Sequence, residues 1–579
     1  MDYVESLRYL YGLADFERSG RFADRPDVEP VRALLHELGD PHLGRATVHI
    51  AGSKGKGSVA AMVEAIMRAA GYTTGLFTSP HLHRFPERIQ TGIRAGEHAG
   101  KEHGLELRPV TSEEFVAGIT EVAAAVERVR AAMPDRALVT FDVLTALGFL
   151  LFRKHDVEVQ VIEVGLGGLL DSTNVFGGFG GVNLTPQPPL RPHGEGGPSL
   201  ADASGGCDGS DGEGGPSPAD ASGNGGGEGE TSEAMPRGSA RGVPTPLVTV
   251  ITNIGLEHRE ILGNTVPEIA RQKAGIIVPG VPVIMAPQRE SAAEVIREVA
   301  AAKGAPLTEV ALVCNLRREQ AGMDHQTFRL RTSKQGYTIK LPLLGKHQLD
   351  NAATAVLAVE ALGNLTPHPP LRPHGEGGPS LADASGRTEV ASSLPPVDGS
   401  HRGVGDASAV SPSPKSGRGP GGGVSPEAVQ KGLEGVRWPG RIEILRRRPL
   451  LIVDGAHTAD SARRLRDTLG EYMRIDQATL VVGVMGDKDL EGLVMAIEAV
   501  ARRVVATQAD HPRALAAEKV ARVFRDRSIE TYVESKLGAA IDMAQNLSTG
   551  SDAVVILGSI ALAGEARAYV LGLERDPPV

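Results

Sequence analysis

Cysteine is nearly absent from this chain of 579 residues. The two present, Cys207 and Cys314, cannot build a disulfide framework, and they suit a reducing cytoplasm. An excess of basic charge is missing too. With a formal net charge of −10 there is no general basic surface, so nucleic acid is not an expected partner. Long apolar runs are also lacking: the longest, at 137–152, carries Asp142 and is too short to span a bilayer, so no membrane partner is expected. The opening MDYVESLRYLYG is acidic and has no apolar run after a basic start, so no signal peptide is read. These absences describe a soluble cytoplasmic protein, with length enough for several domains and a sizeable core.

Composition collapses twice. From about 185 to 242, and again from about 366 to 425, the chain is Gly, Pro, Ser, Ala and Asp with almost no apolar content. Such segments cannot bury enough surface to offset chain entropy, so both are expected to be disordered inserts. PPLRPHGEGGPSLADASG occurs letter for letter at 188–205 and 369–386, and a partial copy, GEGGPSPADASG, runs over 212–223. Copies so far apart, without a hydrophobic face, do not make a solenoid. One repeated element inserted into two surface loops is the simplest account; a regulatory or partner-binding segment is the alternative.

Elsewhere strand and helix patterns alternate. Apolar runs at 47–51, 74–77, 157–164, 247–253 and 281–285 suit strands covered on both faces. A helix over 111–132 opens with a capping box, Thr111 and Glu114, and ends before Pro134. After Trp438-Pro439-Gly440 a second set of strands follows, at 450–453, 479–484, 503–507 and 553–557, with helices at 461–469 and 490–502. The expected fold is α/β: a parallel-sheet domain over 1–436 that holds both inserts, then a smaller α/β domain over 437–579.

The densest chemistry lies at 48–90. A strand runs into Gly52-Ser53-Lys54-Gly55-Lys56-Gly57-Ser58, and a helix begins at once. A glycine-rich surface turn is one reading. Placement between strand and helix favours the other, a loop whose backbone N–H groups cradle phosphates. Lys56 would reach the β and γ phosphates, and Ser58 opens the helix whose N-terminus favours anions. Lys54 is either a functional cation or a solvated loop lysine. Ser79, in TSPH at the end of the second strand, is either a Mg²⁺ ligand or a cap. Glu163 leaves a buried strand into a glycine turn, which calls for a metal or the loop lysine as partner. The segment Thr252-Asn253-Ile254-Gly255-Leu256-Glu257-His258 ends another strand and carries two candidate metal ligands, although His258 could be a satisfied structural histidine. Lys273 comes to the same edge, where a cation beside metal ligands is electrostatically wrong unless neutral or modified. Asp454 and His457 close a strand of the second domain in the same manner.

Taken in order, AGSKGKGS, TSPHLHRFPERI, FDVLTALGF, IEVGLGGLLDSTN, TNIGLEHREILGNTVPEIARQKAGI, LGKHQLDNAATA, PGRIEI, DGAH and GSIALAGEA closely resemble the folylpolyglutamate synthase/dihydrofolate synthase family of the Mur ligase superfamily. The resemblance covers the chain apart from the inserts, and implies a parallel-sheet P-loop ATP-binding domain over 1–436 and a smaller Rossmann-like C-terminal α/β domain over 437–579. It implies an ATP-dependent ligase of folate biosynthesis: a folate γ-carboxylate or dihydropteroate becomes an acyl phosphate, which the amine of L-glutamate attacks. By similarity, Gly52, Gly55, Lys56, Gly57 and Ser58 would wrap the ATP phosphates. Ser79 and Glu163 would hold one Mg²⁺ and His258 would help hold a second. Lys273 matches the lysine that the family carbamoylates. Asn351 and Arg441 look like nucleotide contacts, and Asp454 and His457 would approach the nucleotide and reacting phosphate across a hinge at Trp438-Pro439-Gly440. A monomer is expected. Departures are Ser53-Lys54 for the usual Thr-Asn, Val59 for a common Thr, Asp142 for Glu, Thr91 for Asn and Thr458 for the Asn of DGAHN; they put substrate preference in doubt. Two rival readings stand beside this one: a peptidoglycan-precursor Mur ligase, and a nucleotide-binding scaffold without ligase activity. The segment TSPHLHRFPERI speaks against the first; intact Lys56, Glu163, His258 and Lys273 speak against the second.

Overall fold

A computed structural model describes residues 1–15, 27–94, 105–176, 248–363, 424–548 and 552–577. The expected inserts, about 185–242 and 366–425, lie outside the described residues apart from Val424 and Ser425. Ser425 proves to be a helix cap, its side chain accepting from the Ala428 N–H at the start of the helix Pro426–Gly435.

Eight strands form the first sheet: β1 (Ala46–Ala51), β2 (Thr74–Phe77), β3 (Ile89–Arg94), β4 (Leu105–Pro109), β5 (Val159–Glu163), β6 (Val248–Ile251), β7 (Val283–Met285) and β8 (Leu307–Glu309). Their order is β4-β3-β2-β5-β1-β6-β7-β8. From β2 to β8 every pairing is parallel, while β3 and β4 add an antiparallel edge. The central strands β1, β2, β5 and β6 are buried along almost their whole length, which their Val/Ile/Leu content requires. One face packs the helices Lys56–Ala69, Lys346–Ala361 and Pro426–Gly435; the other packs Tyr3–Tyr11, Glu29–Glu37, Ser112–Ala132 and Thr140–Lys154. Each fully buried Val, Ile or Leu in these layers contributes about 1.5–3 kcal/mol over exposure. The expected capping box is present: Thr111 Oγ1 accepts from Glu114 N at 3.1 Å, and Glu114 Oε2 accepts from Thr111 N at 2.6 Å.

A three-stranded antiparallel sheet, absent from the sequence reading, follows: β9 (Asn315–Ala321), β10 (Gln326–Arg331) and β11 (Gly336–Leu341). Its alternating face, Phe328, Leu330, Tyr337, Ile339 and Leu341, joins the core beside the helix Lys346–Ala361.

The third sheet is built from β12 (Glu443–Arg447), β13 (Leu450–Val453), β14 (Ala478–Val482), β15 (Ala501–Ala506), β16 (Thr531–Val533) and β17 (Ala553–Leu557), in the order β12-β13-β17-β14-β15-β16. All pairings are parallel except that of β12 with β13. The helices Ala459–Met473, Leu490–Ile497 and Ala517–Arg525 cover one face; Leu537–Leu547 and Ile560–Leu571 cover the other. The helix expected over 490–502 stops at Ile497, and β15 already begins at Ala501. Pairing of Arg503, Val504 and Val505 with β14 draws this stretch into the sheet, an instance of tertiary context overriding local pattern.

Candidate active site

Parallel β1, β2, β5 and β6 deliver Gly52, Thr78, Val164 and Thr252 to one sheet edge, where a fold of this class places its ligands. Two tight approaches shape the glycine loop there. Gly52 has φ +149°, and a Cβ on it would lie 1.9 Å from Thr252 Oγ1; Gly55, the N-cap of the helix Lys56–Ala69, has φ +95° and a Cβ would lie 2.5 Å from Asn351 Oδ1. Ser53 N and Lys54 N both donate to Asn253 O at 3.0 Å, and Ser53 Oγ donates to Gly255 O at 3.0 Å. The loop's remaining amides and the first turn of the helix are thus left to meet an anion. The ring of Trp438 closes on Gly57, where a Cβ would meet it at 2.6 Å.

Two charge groups face this loop. In the first, Lys56 Nζ stands 3.9 Å from Glu163 Oε1, and Glu163 Oε2 accepts from Ser79 N at 3.2 Å. In the second, Lys273 Nζ donates to Gly52 O at 2.9 Å and to Glu257 Oε1 at 3.2 Å, with Lys54 Nζ 3.5 Å from Glu257 Oε2. Burial pushes the Lys273 ammonium down to about 8, against the pull of Glu257. Burial also works to raise the Glu257 carboxyl, but Lys273, Lys54 and Lys56 outweigh it and hold Glu257 well below the usual carboxylate range. Glu257 thus stands as counter-ion to Lys273 and Lys54. His258 caps the short helix Arg259–Leu262 with a left-handed backbone, φ +48°. Burial lowers its proton affinity to about 4, leaving a neutral imidazole at pH 7.

Four further residues come from 351 onward. Asn351 Nδ2 donates to Gln348 Oε1 at 2.9 Å, and Gln348 Nε2 reaches Ser58 Oγ at 3.4 Å, so the helix Lys346–Ala361 supports the glycine loop. Asp454, at the end of β13, accepts from Ile442 N and Ala456 N, both at 2.8 Å, and burial raises its carboxyl despite Arg441 nearby. His457 Nδ1 lies 2.8 Å from the Gly455 carbonyl, which can only accept, so Nδ1 carries the proton and Nε2 does not. Burial, with Lys54, Lys488 and Arg441 adding to it, pushes His457 down to about 3.

Of the residues singled out in the sequence, Gly55, Lys56, Gly57, Ser58, Ser79, Glu163, His258, Asn351, Arg441, Asp454 and His457 line a single cleft of about 1580 Å³, and Gly52 and Lys273 do not. Lys273 lies behind its wall, hydrogen-bonded to the loop backbone. Among the described residues no three His, Cys, Asp or Glu side chains converge on one point. What Ser79 and Glu163 offer is a hydroxyl and a carboxylate, adjacent and oxygen-only. That set suits Mg²⁺, which takes one or two protein oxygens and completes its octahedron with phosphates and water.

Sequence reasoning missed the Gln348 support and the packing of Trp438 on Gly57. It also missed a cationic stretch of the cleft wall: Lys488, paired with Asp487 at 2.7 Å, and Arg513, 3.3 Å from the same acid. Nothing in the spacing of these residues announces a shared cleft, because their distances in the chain are set by the third sheet.

Two family descriptions match the chain: Mur ligase middle domain over residues 230–359, and Mur ligase, glutamate ligase domain over 440–560. The chain is 26% identical to the dihydrofolate synthase/folylpolyglutamate synthase of Bacillus subtilis, over 85% of this chain and 84% of the relative. It is 26% identical to the Mycobacterium tuberculosis protein of the same description, over 100% of this chain and 96% of the relative. Among solved structures, M. tuberculosis folylpolyglutamate synthase in complex with ADP and AMPPCP superposes with a TM-score of 0.69 at 25% identity, covering 99% of this chain and 100% of that one.

Proposed function

Because this chain belongs to the folylpolyglutamate synthase/dihydrofolate synthase family of the Mur ligase superfamily, we propose that it ligates L-glutamate to the γ-carboxylate of folates at the expense of ATP, and to dihydropteroate as well. The observation that carries this reading is the shared cleft: a glycine loop with Lys56, Glu163 and Ser79 on one side, Arg441, Asp454 and His457 on the other.

The loop amides and Lys56 bind and orient the triphosphate, with the helix Lys56–Ala69 presenting its N-terminus to the anion. Ser79 and Glu163 would hold Mg²⁺ there, with His258 near a second ion, and the metal would neutralise phosphate charge. The substrate carboxylate attacks the γ phosphorus, ADP leaves, and an acyl phosphate forms. Glutamate's neutral amine attacks the acyl carbon, and phosphate departs from the tetrahedral intermediate as the amide forms. No enzyme nucleophile is required; positioning, charge and exclusion of water are what the chain supplies. Residues 1–436 act as the ATP lobe and 437–579 as the lobe that closes on it about Trp438-Pro439-Gly440. The neutral Lys273 amine adds CO₂ with loss of one proton, and the resulting carbamate turns a cation into an anion at the metal side of the loop.

We read the enzyme as cytoplasmic and monomeric; among the described residues no helix is long and apolar enough to cross a membrane. The test is ADP release from Mg-ATP with dihydropteroate or tetrahydrofolate, with and without glutamate. Turnover that needs both the pteroate or folate and glutamate supports the proposal. Turnover with a UDP-sugar acid instead would identify a peptidoglycan-precursor ligase, and none with any acid a scaffold.

A further inference from the structure

The loop after β2 carries Ser79 into the cleft and then runs on through His81, Leu82, His83, Phe85 and Arg88, which line the same cavity. Three points from far along the chain hold this loop. Gly564, in the helix Ile560–Leu571, sits so close that a Cβ would lie 2.1 Å from Leu82 O. Arg567 reaches His83 Nε2 at 3.0 Å and Glu443 Oε2 at 2.7 Å, while His83 Nδ1 meets Glu87 Oε1 at 2.7 Å. The third point is Asp576, in the extended segment that follows that helix. Its side chain is only 7% exposed. Oδ1 accepts from Tyr3 OH at 2.6 Å, Oδ2 accepts from Phe85 N at 2.8 Å, and the Asp576 N–H donates to His83 O at 2.9 Å.

A segment 491 residues away in sequence from Phe85 thus pins its backbone and, through Tyr3, the first helix as well. The neighbouring residues Arg575 and Pro577 line the cleft beside this contact. Arg88 donates from Nε to His81 Nδ1 at 2.9 Å and lies over the Phe85 ring at 5.1 Å; Arg575 acts electrostatically on the same His81. Two guanidinium groups, Arg88 and Arg575, therefore line the cleft outside the glycine loop, the second lying 3.9 Å from Glu565. Guanidinium pairs suit carboxylates, and the glycine loop already provides the donors for ATP phosphates.

We propose that residues 573–577 form a strap that completes the binding face for the carboxylate-bearing acid substrate, with Asp576 as the positioning residue that sets the 82–88 loop and Arg575 as the strap's own contact to the acid. This rests on the ligase reading above and adds to it a site element that none of the motifs contains. Asp576 acts by satisfying Phe85 N and Tyr3 OH, so that the 82–88 loop, with Arg88, keeps its place beside the strap.

The test is steady-state kinetics on the full chain, varying the acid and Mg-ATP separately, for Asp576→Ala, Tyr3→Phe and Arg575→Ala. Expected is a rise in KM for the acid of about tenfold in Asp576→Ala and Arg575→Ala and about threefold in Tyr3→Phe, with KM for ATP within about twofold throughout. A general loss of folding would move both KM values together, and that result, or an unchanged KM for the acid, overturns the proposal. Amide exchange supplies a reading independent of turnover. Asp576→Ala should speed exchange across 82–89 and leave 54–63 unchanged, whereas unaltered exchange at 82–89 removes the positioning role. Should the wild type turn over neither acid, the function fails and takes the substrate half of this proposal with it, while the exchange measurement still decides the strap itself.

Discussion

Lys273 holds the carbonyl of Gly52 at 2.9 Å, so the last residue of the helix Val266–Lys273 is bonded to the first residue of the glycine loop. The same ammonium meets Glu257 at 3.2 Å, which makes Lys273 at once a brace for the loop backbone and half of a buried ion pair. A residue so placed can transmit its charge state to the loop without entering the cleft.

Lys273→Ala is expected to lower kcat/KM by about 100-fold or more, the scale seen when one preorganised electrostatic contact is lost. Lys54 stays beside Glu257, so the carboxylate keeps one cation and the chain remains folded. Breaking a buried pair that has no such reserve costs about 3–5 kcal/mol. Small carboxylates should restore part of the rate. Wild-type turnover in the variant would refute the role.

Carbamate formation at Lys273 should rise with pH. Only the neutral amine adds CO₂, and with the ammonium pushed down to about 8 its neutral fraction climbs steeply through that pH. With ¹³C-bicarbonate, a carbamate resonance should be weak near pH 6.5 and strong near pH 8.5, and absent from Lys273→Arg. A signal that ignores pH, or persists in that variant, would count against it.

Gly55→Ala should weaken ADP binding about tenfold or more, since a left-handed backbone there strains any side chain by about 1–2 kcal/mol and the new methyl strikes Asn351. Gly435→Ala, in open space at the end of the helix Pro426–Gly435, should leave affinity unchanged. Titration calorimetry distinguishes the two; equal affinities would contradict the geometry of the loop.

The chain's single tryptophan, Trp438, lies against Gly57. Intrinsic fluorescence should therefore change saturably on adding Mg-ADP. Lys56→Ala should abolish that change at the same nucleotide concentration. A flat titration of the wild type would show that the ring does not sense the loop.

Deleting 188–241 should leave kcat within about twofold, because β1 and β6 pair through their own residues and loop closure depends only weakly on length. A fall of more than about tenfold would give the repeat-bearing segment a catalytic role.

Motif residues were legible because their chemistry is local. A glycine turn between an apolar run and a helix needs Gly52 and Gly55 for its backbone, and Lys56 and Ser58 follow from their neighbours. The central strands of the first and third sheets were readable from apolar content, since strands buried on both faces tolerate little else; β3, β4, β8, β12 and β16, at or beside the sheet edges, were not. The sheet β9–β11 was not, because its alternation is masked by charged residues on the exposed face, as in Arg317, Arg329 and Arg331. The partners of Glu257 were not legible either, because Lys54 and Lys273 meet it only once the strands are placed in space.

The sequence alone determined the α/β pattern and carried the ordered motifs of a nucleotide-dependent ligase, whose backbone and charge demands are met by neighbours in the chain. Only the tertiary structure decided which lysine braces the loop, which acid answers it, and that Asp576 grips Phe85. Gly52 with Lys273 and Phe85 with Asp576 lie 221 and 491 positions apart, Glu257 and Lys273 only 16, and sheet order and burial, not spacing, bring each pair within hydrogen-bonding distance.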